Sequence, residues 1–152
     1  MWHSILLGSA LIVVTVAIHA FGTTWWIRRL KERYAASKNP TFNDILNVLA
    51  KTAVLLLFLH ILEILVWAFS YELFTGLKEL NTFEEAMYFS TVTFTTLGYG
   101  DVVIENDWRL LSGIQAIAGH LIFGWSTALL IAVVQKLWAT TADEEHQVKK
   151  DS

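Results

Sequence analysis

Four ionisable side chains stand where charge is expensive: His19, His60, Glu63 and His120 each fall inside a long apolar run. Histidine can hold or release a proton near neutral pH and can ligate a metal, and a nearby carboxylate can take part in either task. His60 and Glu63 are three residues apart and share one face of a helix. Three readings stay open at this point: a structural hydrogen-bond network, a proton-sensitive gating element, or a metal site made from His60, Glu63 and another histidine. A carboxylate in a membrane rarely faces lipid, so Glu63 is expected to meet His60, a hydroxyl among Ser90, Thr91 and Thr93, or His19. A different chemistry is offered by Thr95 to Asp101, TTLGYGD. Glycine at Gly98 and Gly100 permits left-handed backbone angles, so successive carbonyls can turn to one side and present a row of oxygens to a monovalent cation.

The elements that position these groups belong to a membrane protein. Of 152 residues, 55% are hydrophobic, 13% aromatic and only 16% charged, with mean hydropathy +0.48. Cysteine is absent, which removes disulfides and thiolate sites. A bilayer core of about 30 Å takes roughly 20 apolar residues in helical form. Three segments qualify, from about Ile5 to Ile27, Val48 to Phe69 and Leu110 to Leu137. Trp2 with Trp25 and Trp26, Trp67 with Tyr71, and Trp108 with Trp138 stand at their ends, as interfacial anchors would. The first segment reads as a retained helix: MWHS lacks the basic residues of a signal peptide, the apolar run is too long, and no A-x-A site follows.

Charge sets the expected orientation. Arg28, Arg29, Lys31, Arg33 and Lys38 follow the first span and Lys51 enters the second, whereas only Lys78 and Arg109 lie between the second and third. The basic loop is expected in the cytoplasm, with the N-terminus outside and the C-terminus inside, consistent with a bacterial inner membrane. The external region carries Glu72, Glu79, Glu84, Glu85, Asp101, Glu105 and Asp107, and a potential of that sign concentrates cations.

Between the second and third spans, Thr82 and Glu85 have capping-box spacing before the apolar run Ala86 to Phe94. At about twelve residues this helix is too short to cross, so it is expected to be re-entrant. Its C-terminal end carries partial negative charge, which favours a cation near the midplane.

With a short helix before it and an apolar span on either side, TTLGYGD resembles the selectivity filter of the potassium channel superfamily, whose usual form is TVGYG or TIGYG. The similarity covers about Val48 to Leu137, that of a small bacterial-type pore domain with two membrane helices and one pore loop, to which an N-terminal helix is added. The resemblance implies K+ sites on the carbonyls of Thr96, Leu97, Gly98 and Tyr99, with the Thr96 hydroxyl at the cavity end and Gly100 at the external mouth. It places Asp101 behind the filter, and Tyr88 where many relatives have a tryptophan bonded to that aspartate, so a Tyr88 to Asp101 hydrogen bond is expected. One chain supplies one filter strand, and encircling an ion takes four, hence a homotetramer with a central pore.

The chain departs from the family pattern at Leu97, in place of a β-branched residue, at Val92, where some bacterial channels have glutamate, and in VVIEND, which lacks a proline. On the third span, Gly119 and Gly124 are candidates for a bend or for a tight helix contact, and His120, Phe123 and Thr127 for pore-facing positions. The first span has no arginine ladder, and the tail ADEEHQVKKDS is short for a regulatory domain.

The expected architecture is therefore an all-α membrane protein with three transmembrane helices, a re-entrant pore helix and a filter loop. It divides into an extra helix over 1–27, a basic loop over 28–47, a pore domain over 48–137 and a tail over 138–152. The expected function is passive, potassium-selective conduction, with K+ as permeant ligand, no cofactor, no enzymatic activity and no nucleic-acid partner. The competing readings are a weakly selective monovalent cation channel, which mixed potassium and sodium gradients would separate, and a membrane-embedded metal-binding protein or enzyme built on His19, His60, Glu63 and His120.

Overall fold

The computed structural model describes residues 2–35, 41–74, 80–105 and 108–151, with side chains described within 2–32, 41–74, 80–105 and 108–136. Lys38, Lys78, Glu79 and Asp107, and the side chains of Arg33 and Trp138, counted above, lie outside the described residues. Four helices follow in order: α1 (Trp2–Ala35), α2 (Phe42–Phe74), α3 (Phe83–Phe94) and α4 (Arg109–Asp151), with no strand among the described residues. Three of them, over Trp2–Glu32, Phe42–Phe74 and Arg109–Lys136, are long and apolar enough to cross a membrane. The chain is an all-α membrane protein, as its hydropathy implies.

The helices overrun the apolar segments. α1 continues through Arg28, Arg29 and Lys31 to Ala35, and α2 begins at Phe42, so most of the expected 28–47 loop is helical. Hydropathy marks where lipid ends, whereas lysine, arginine and glutamate are good helix formers that carry the backbone hydrogen bonds further. α2 starts on a local device of its own: Thr41 N donates to Asp44 Oδ2 at 2.9 Å, and Asp44 N returns a longer bond to Thr41 Oγ1 at 3.4 Å. α4 likewise runs on through the region expected as a tail.

Each helix buries one stripe. On α1 the buried positions are Ser4, Gly8, Leu11, Thr15, His19 and Thr23, spaced three or four apart and mostly small or polar. In lipid there is no hydrophobic drive between helices, and small residues allow the close approach that packing then exploits. A Cβ on Gly8 would meet Ile114 of α4, and one on Gly22 would meet Leu59 of α2. Trp26 Nε1 donates to Thr52 Oγ1 at 2.8 Å, closing α1 onto α2 at the other end. The extra helix therefore packs on its own chain.

Trp67 and Tyr71 correct an expectation. They are 0% and 1% exposed and belong to the core with Phe89, Phe94, Leu111 and Ile122, so they are not interfacial anchors of this chain. The buried face of α2 runs through Glu63, Ile64, Trp67, Ala68 and Tyr71, and helical periodicity carries it past the span's centre to its end. Trp2 and Trp25, at 70% and 53% exposed, remain available as anchors.

Candidate functional site

The short helix α3 is built as its sequence suggests. Thr82 Oγ1 accepts from Glu85 N at 3.2 Å, and Glu85 Oε2 accepts from the backbone N–H groups of Thr82 at 3.2 Å and Asn81 at 2.7 Å. This capping box satisfies the first turn, and the helix ends after twelve residues. Beyond it the chain does not leave. Thr96 N donates to Thr93 O at 3.0 Å, and Leu97 N and Gly98 N donate to Val92 O at 2.9 and 3.3 Å. A trans peptide sets its N–H and the preceding C=O in opposite directions, and no cis bond interrupts the chain. With three successive N–H groups turned back on α3, the carbonyls of Thr95, Thr96 and Leu97 point away from it.

The backbone angles explain how this is possible. Thr96, Gly98 and Gly100 have φ of 59°, 59° and 79°, while Leu97 and Tyr99 do not have positive φ. Alternation between positive and negative φ keeps successive peptide units facing the same way, which an ordinary strand forbids. The sequence announces this at the glycines only. A β-branched residue in the left-handed region is costly, about 1–2 kcal/mol, and Thr96 adopts it where two N–H bonds follow immediately to hold the turn. Residues 95–100 are all exposed in the single chain.

Behind this strand, Tyr88 Oη donates to Asp101 Oδ2 at 2.6 Å, the bond expected between these residues. The hydroxyl holds the Asp101 carboxyl below the usual carboxylate range, and the carboxylate in turn pushes the Tyr88 phenol up. α4 fits against the end of α3 at Gly119: an added Cβ would collide with the Phe94 carbonyl oxygen. Gly119 therefore serves as a tight contact within a continuous helix, whereas nothing surrounds the Cβ position of Gly124. A second polar link crosses here, from Tyr71 Oη to Gln115 Oε1 at 2.9 Å and from Gln115 Nε2 to Ser90 O at 3.2 Å. Gln115 is not among the residues singled out by sequence, and Tyr71 is singled out there only as an anchor.

The candidate pore-facing residues divide. His120, Gly124 and Thr127 lie on one exposed stripe of α4, together with Ile131. Phe123 turns the other way, stacking on His60 with ring centroids 4.5 Å apart and packing on Phe94 at 6.0 Å. It is a wall of the buried region, because α4 must cover the polar groups of α2 at this level.

Those polar groups form one cluster. Glu63, fully buried, receives His19 Nδ1 on Oε1 at 2.9 Å and His60 Nδ1 on Oε2 at 3.3 Å. On the far side of both rings stands Ser126 Oγ, 3.3 Å from His19 Nε2 and 3.1 Å from His60 Nε2. Of the partners expected for Glu63, both histidines are found, whereas the Ser90 hydroxyl has no hydrogen-bond partner among the described residues and that of Thr91 donates to Met87 O; His120, offered only in the metal-site reading, stays outside. Ser126 was not foreseen. The signal lay in the α4 positions 115, 119, 122 and 126, a helical stripe bearing two polar residues and a glycine in an apolar span.

Comparison with known proteins follows the same lines. The model of a family described as ion channel matches residues 57–136, more than half of the chain, and the chain belongs to that family. Over 76 residues, half of the chain, it is 33% identical to two-pore potassium channel 4 of Arabidopsis thaliana, and it spans about a quarter (26%) of that protein's length. The resemblance to the potassium channel superfamily drawn from TTLGYGD is thereby borne out. No solved structure matches.

Proposed function

We propose that this chain is the subunit of a homotetrameric, potassium-selective channel that conducts K+ passively. The observation that carries the proposal is the alternation of φ at Thr96, Gly98 and Gly100 with the neighbouring N–H groups turned back on α3. The ligands are then the carbonyls of Thr96, Leu97, Gly98 and Tyr99, which replace the ion's hydration shell. Gly100 stands at the external mouth, and the Tyr88–Asp101 bond braces the strand from behind.

Assembly follows from exposure. Irregular backbone is tolerated at membrane depth only inside protein or beside a water-filled cavity. One chain leaves residues 95–100 uncovered, with Leu97 56% and Tyr99 67% exposed. Four copies around an axis close the ring of carbonyls and cover these side chains. The exposed stripe of His120, Gly124 and Thr127 then lines the inner cavity, where a histidine meets water instead of lipid. Orientation follows the positive charges, with the filter on the external side and both the α1–α2 connection and the end of α4 in the cytoplasm. Membership of the ion channel family points to transport and not catalysis.

Ion flux from liposomes containing the purified protein, under potassium and then sodium gradients, tests the proposal. Potassium flux without sodium flux is the expected result. Equal flux of both ions would replace it with the weakly selective reading.

A further inference from the structure

The cluster around Glu63 is short of one hydrogen. Its four contacts, two from Glu63 to the Nδ1 atoms and two from Ser126 to the Nε2 atoms, each need one hydrogen. An ionised carboxylate brings none, two neutral imidazoles bring one each, and the serine hydroxyl brings one. Three hydrogens cannot complete four contacts. The group in that state also carries a net negative charge inside the membrane-spanning bundle, with Glu63 and His19 both at 0% exposure.

A dication satisfies the ring nitrogens and the carboxylate together, and it turns the net negative charge of the group into a net positive one. With a metal on the Nδ1 side, both imidazoles offer Nδ1 lone pairs to the ion and keep hydrogen on Nε2. Ser126 Oγ has two lone pairs and accepts from both, so one hydroxyl fixes the tautomer and orientation of two ligating rings. The Glu63 carboxylate supplies the third ligand. One donor atom from each of His19, His60 and Glu63 lies within 4.8 Å of the others. Ligands about 2.0–2.2 Å from a tetrahedral ion are separated by roughly 3.4 Å; here the two Nδ1 atoms stand 2.9 and 3.3 Å from different oxygens of the one Glu63 carboxylate, so a small shift of that carboxylate brings one oxygen towards both.

We propose that His19, His60 and Glu63 form a binding site for a zinc-class dication, with Ser126 as the residue that positions both histidines. Two imidazole nitrogens and one carboxylate suit zinc and its neighbours in the first transition row, whereas magnesium and calcium take all-oxygen sites. Three protein ligands leave a fourth position for water. The ligands come from α1 and α2 and their positioning serine from α4, so occupancy ties the extra helix to the pore domain. The entry side is His60, whose side chain keeps 10% exposure while Glu63 and His19 keep none. The site does not depend on conduction and stands whichever ions pass the filter.

The test uses the full chain in detergent, with Co2+ as spectroscopic probe and Zn2+ as competitor. His3, His120 and His146 are replaced together by glutamine, leaving His19 and His60 as the only histidines. The expected result is one Co2+ per chain with a visible absorption band of four- or five-coordinate type, removed by Zn2+. Ser126→Ala should weaken binding about 10- to 100-fold, the usual cost of losing an outer-shell partner, and Glu63→Gln by more than that. Absence of saturable Co2+ uptake in the triple variant overturns the site and leaves a bound proton as the fourth hydrogen. Uptake that Glu63→Gln does not weaken overturns it equally.

Discussion

The strand proposed as filter and the Glu63 cluster meet at the same end of α3: one follows its C-terminus, the other lies against its last residue, Phe94, through His60 at 6.4 Å. They work by opposite means. As proposed, the filter offers main-chain oxygens, so its chemistry would depend on φ and barely on side-chain identity. The cluster offers side chains held by burial, so its chemistry depends on every atom beyond Cβ and not on special backbone angles. The two should therefore respond to different mutations, and the contrast can be broken at either end.

The largest effect is expected at Gly98. Its φ of 59° is left-handed, and no atom lies within 4 Å of where a Cβ would stand. The penalty for Gly98→Ala is thus conformational, about 1–2 kcal/mol, without any loss of packing. Potassium flux should fall to background while the assembled protein remains intact on size-exclusion chromatography. Selective current persisting in this variant would remove the filter assignment.

Next comes Glu63→Ala, which leaves two buried imidazoles without their shared acceptor. Breaking a buried pair costs about 3–5 kcal/mol, whereas Glu84→Ala, on the exposed face of α3, should stay within about 0.5 kcal/mol. Thermal unfolding in detergent reads both, and similar midpoints for the two variants would contradict the contrast. Gly119→Ala should cost less, about 1–3 kcal/mol of overpacking, since α4 must back away from the Phe94 carbonyl. Gly124→Ala meets nothing and should be neutral or gain up to about 1 kcal/mol of helix propensity. If Gly124→Ala proved the more damaging, the tight contact at Gly119 would not be what matters on α4.

Much of this was legible in the sequence, for identifiable reasons. Spans of apolar residues must be helical in lipid, Thr82 with Glu85 can satisfy the start of α3, and Gly98 and Gly100 permit angles that few other residues tolerate. What escaped depends on tertiary placement. Thr96 takes a left-handed angle because its neighbours' N–H groups return to Val92, and no property of threonine signals that. Ser126 becomes a partner only once α1, α2 and α4 are together. Trp67 and Tyr71 stand at the end of a span, where an aromatic can be an anchor or core, and only the direction of the buried face decides. The same direction turned Phe123 inward.

A smaller effect, graded by pH, is expected from Tyr88→Phe. The Tyr88 hydroxyl holds the Asp101 carboxyl low, so its contribution is complete above the ordinary carboxylate pKa and is lost as pH falls through the lowered value. The raised Tyr88 phenol contributes below its ordinary pKa and loses that contribution as pH rises through the raised value. Removing the hydroxyl returns Asp101 towards its ordinary range, and the acid limb of potassium flux should move to higher pH. An unmoved acid limb would show that the bond does not govern the outer strand.

The smallest effect is expected at Leu97, where the sequence departs most visibly from the family's usual filter. Its side chain is 56% exposed in the single chain, and its N–H is committed to Val92 O at 2.9 Å. The peptide oxygen that would face an ion is thus set by a main-chain bond to α3 and not by the branching of the side chain. Leu97→Val adds β-branching, which is compatible with negative φ such as residue 97 already has between two left-handed neighbours. The potassium-to-sodium flux ratio should change by less than about twofold, corresponding to under about 0.4 kcal/mol in selectivity. A large change would mean that side-chain packing around the filter in the assembled channel, and not backbone geometry alone, positions the carbonyls. The two regions would then differ less than their single-chain structures suggest.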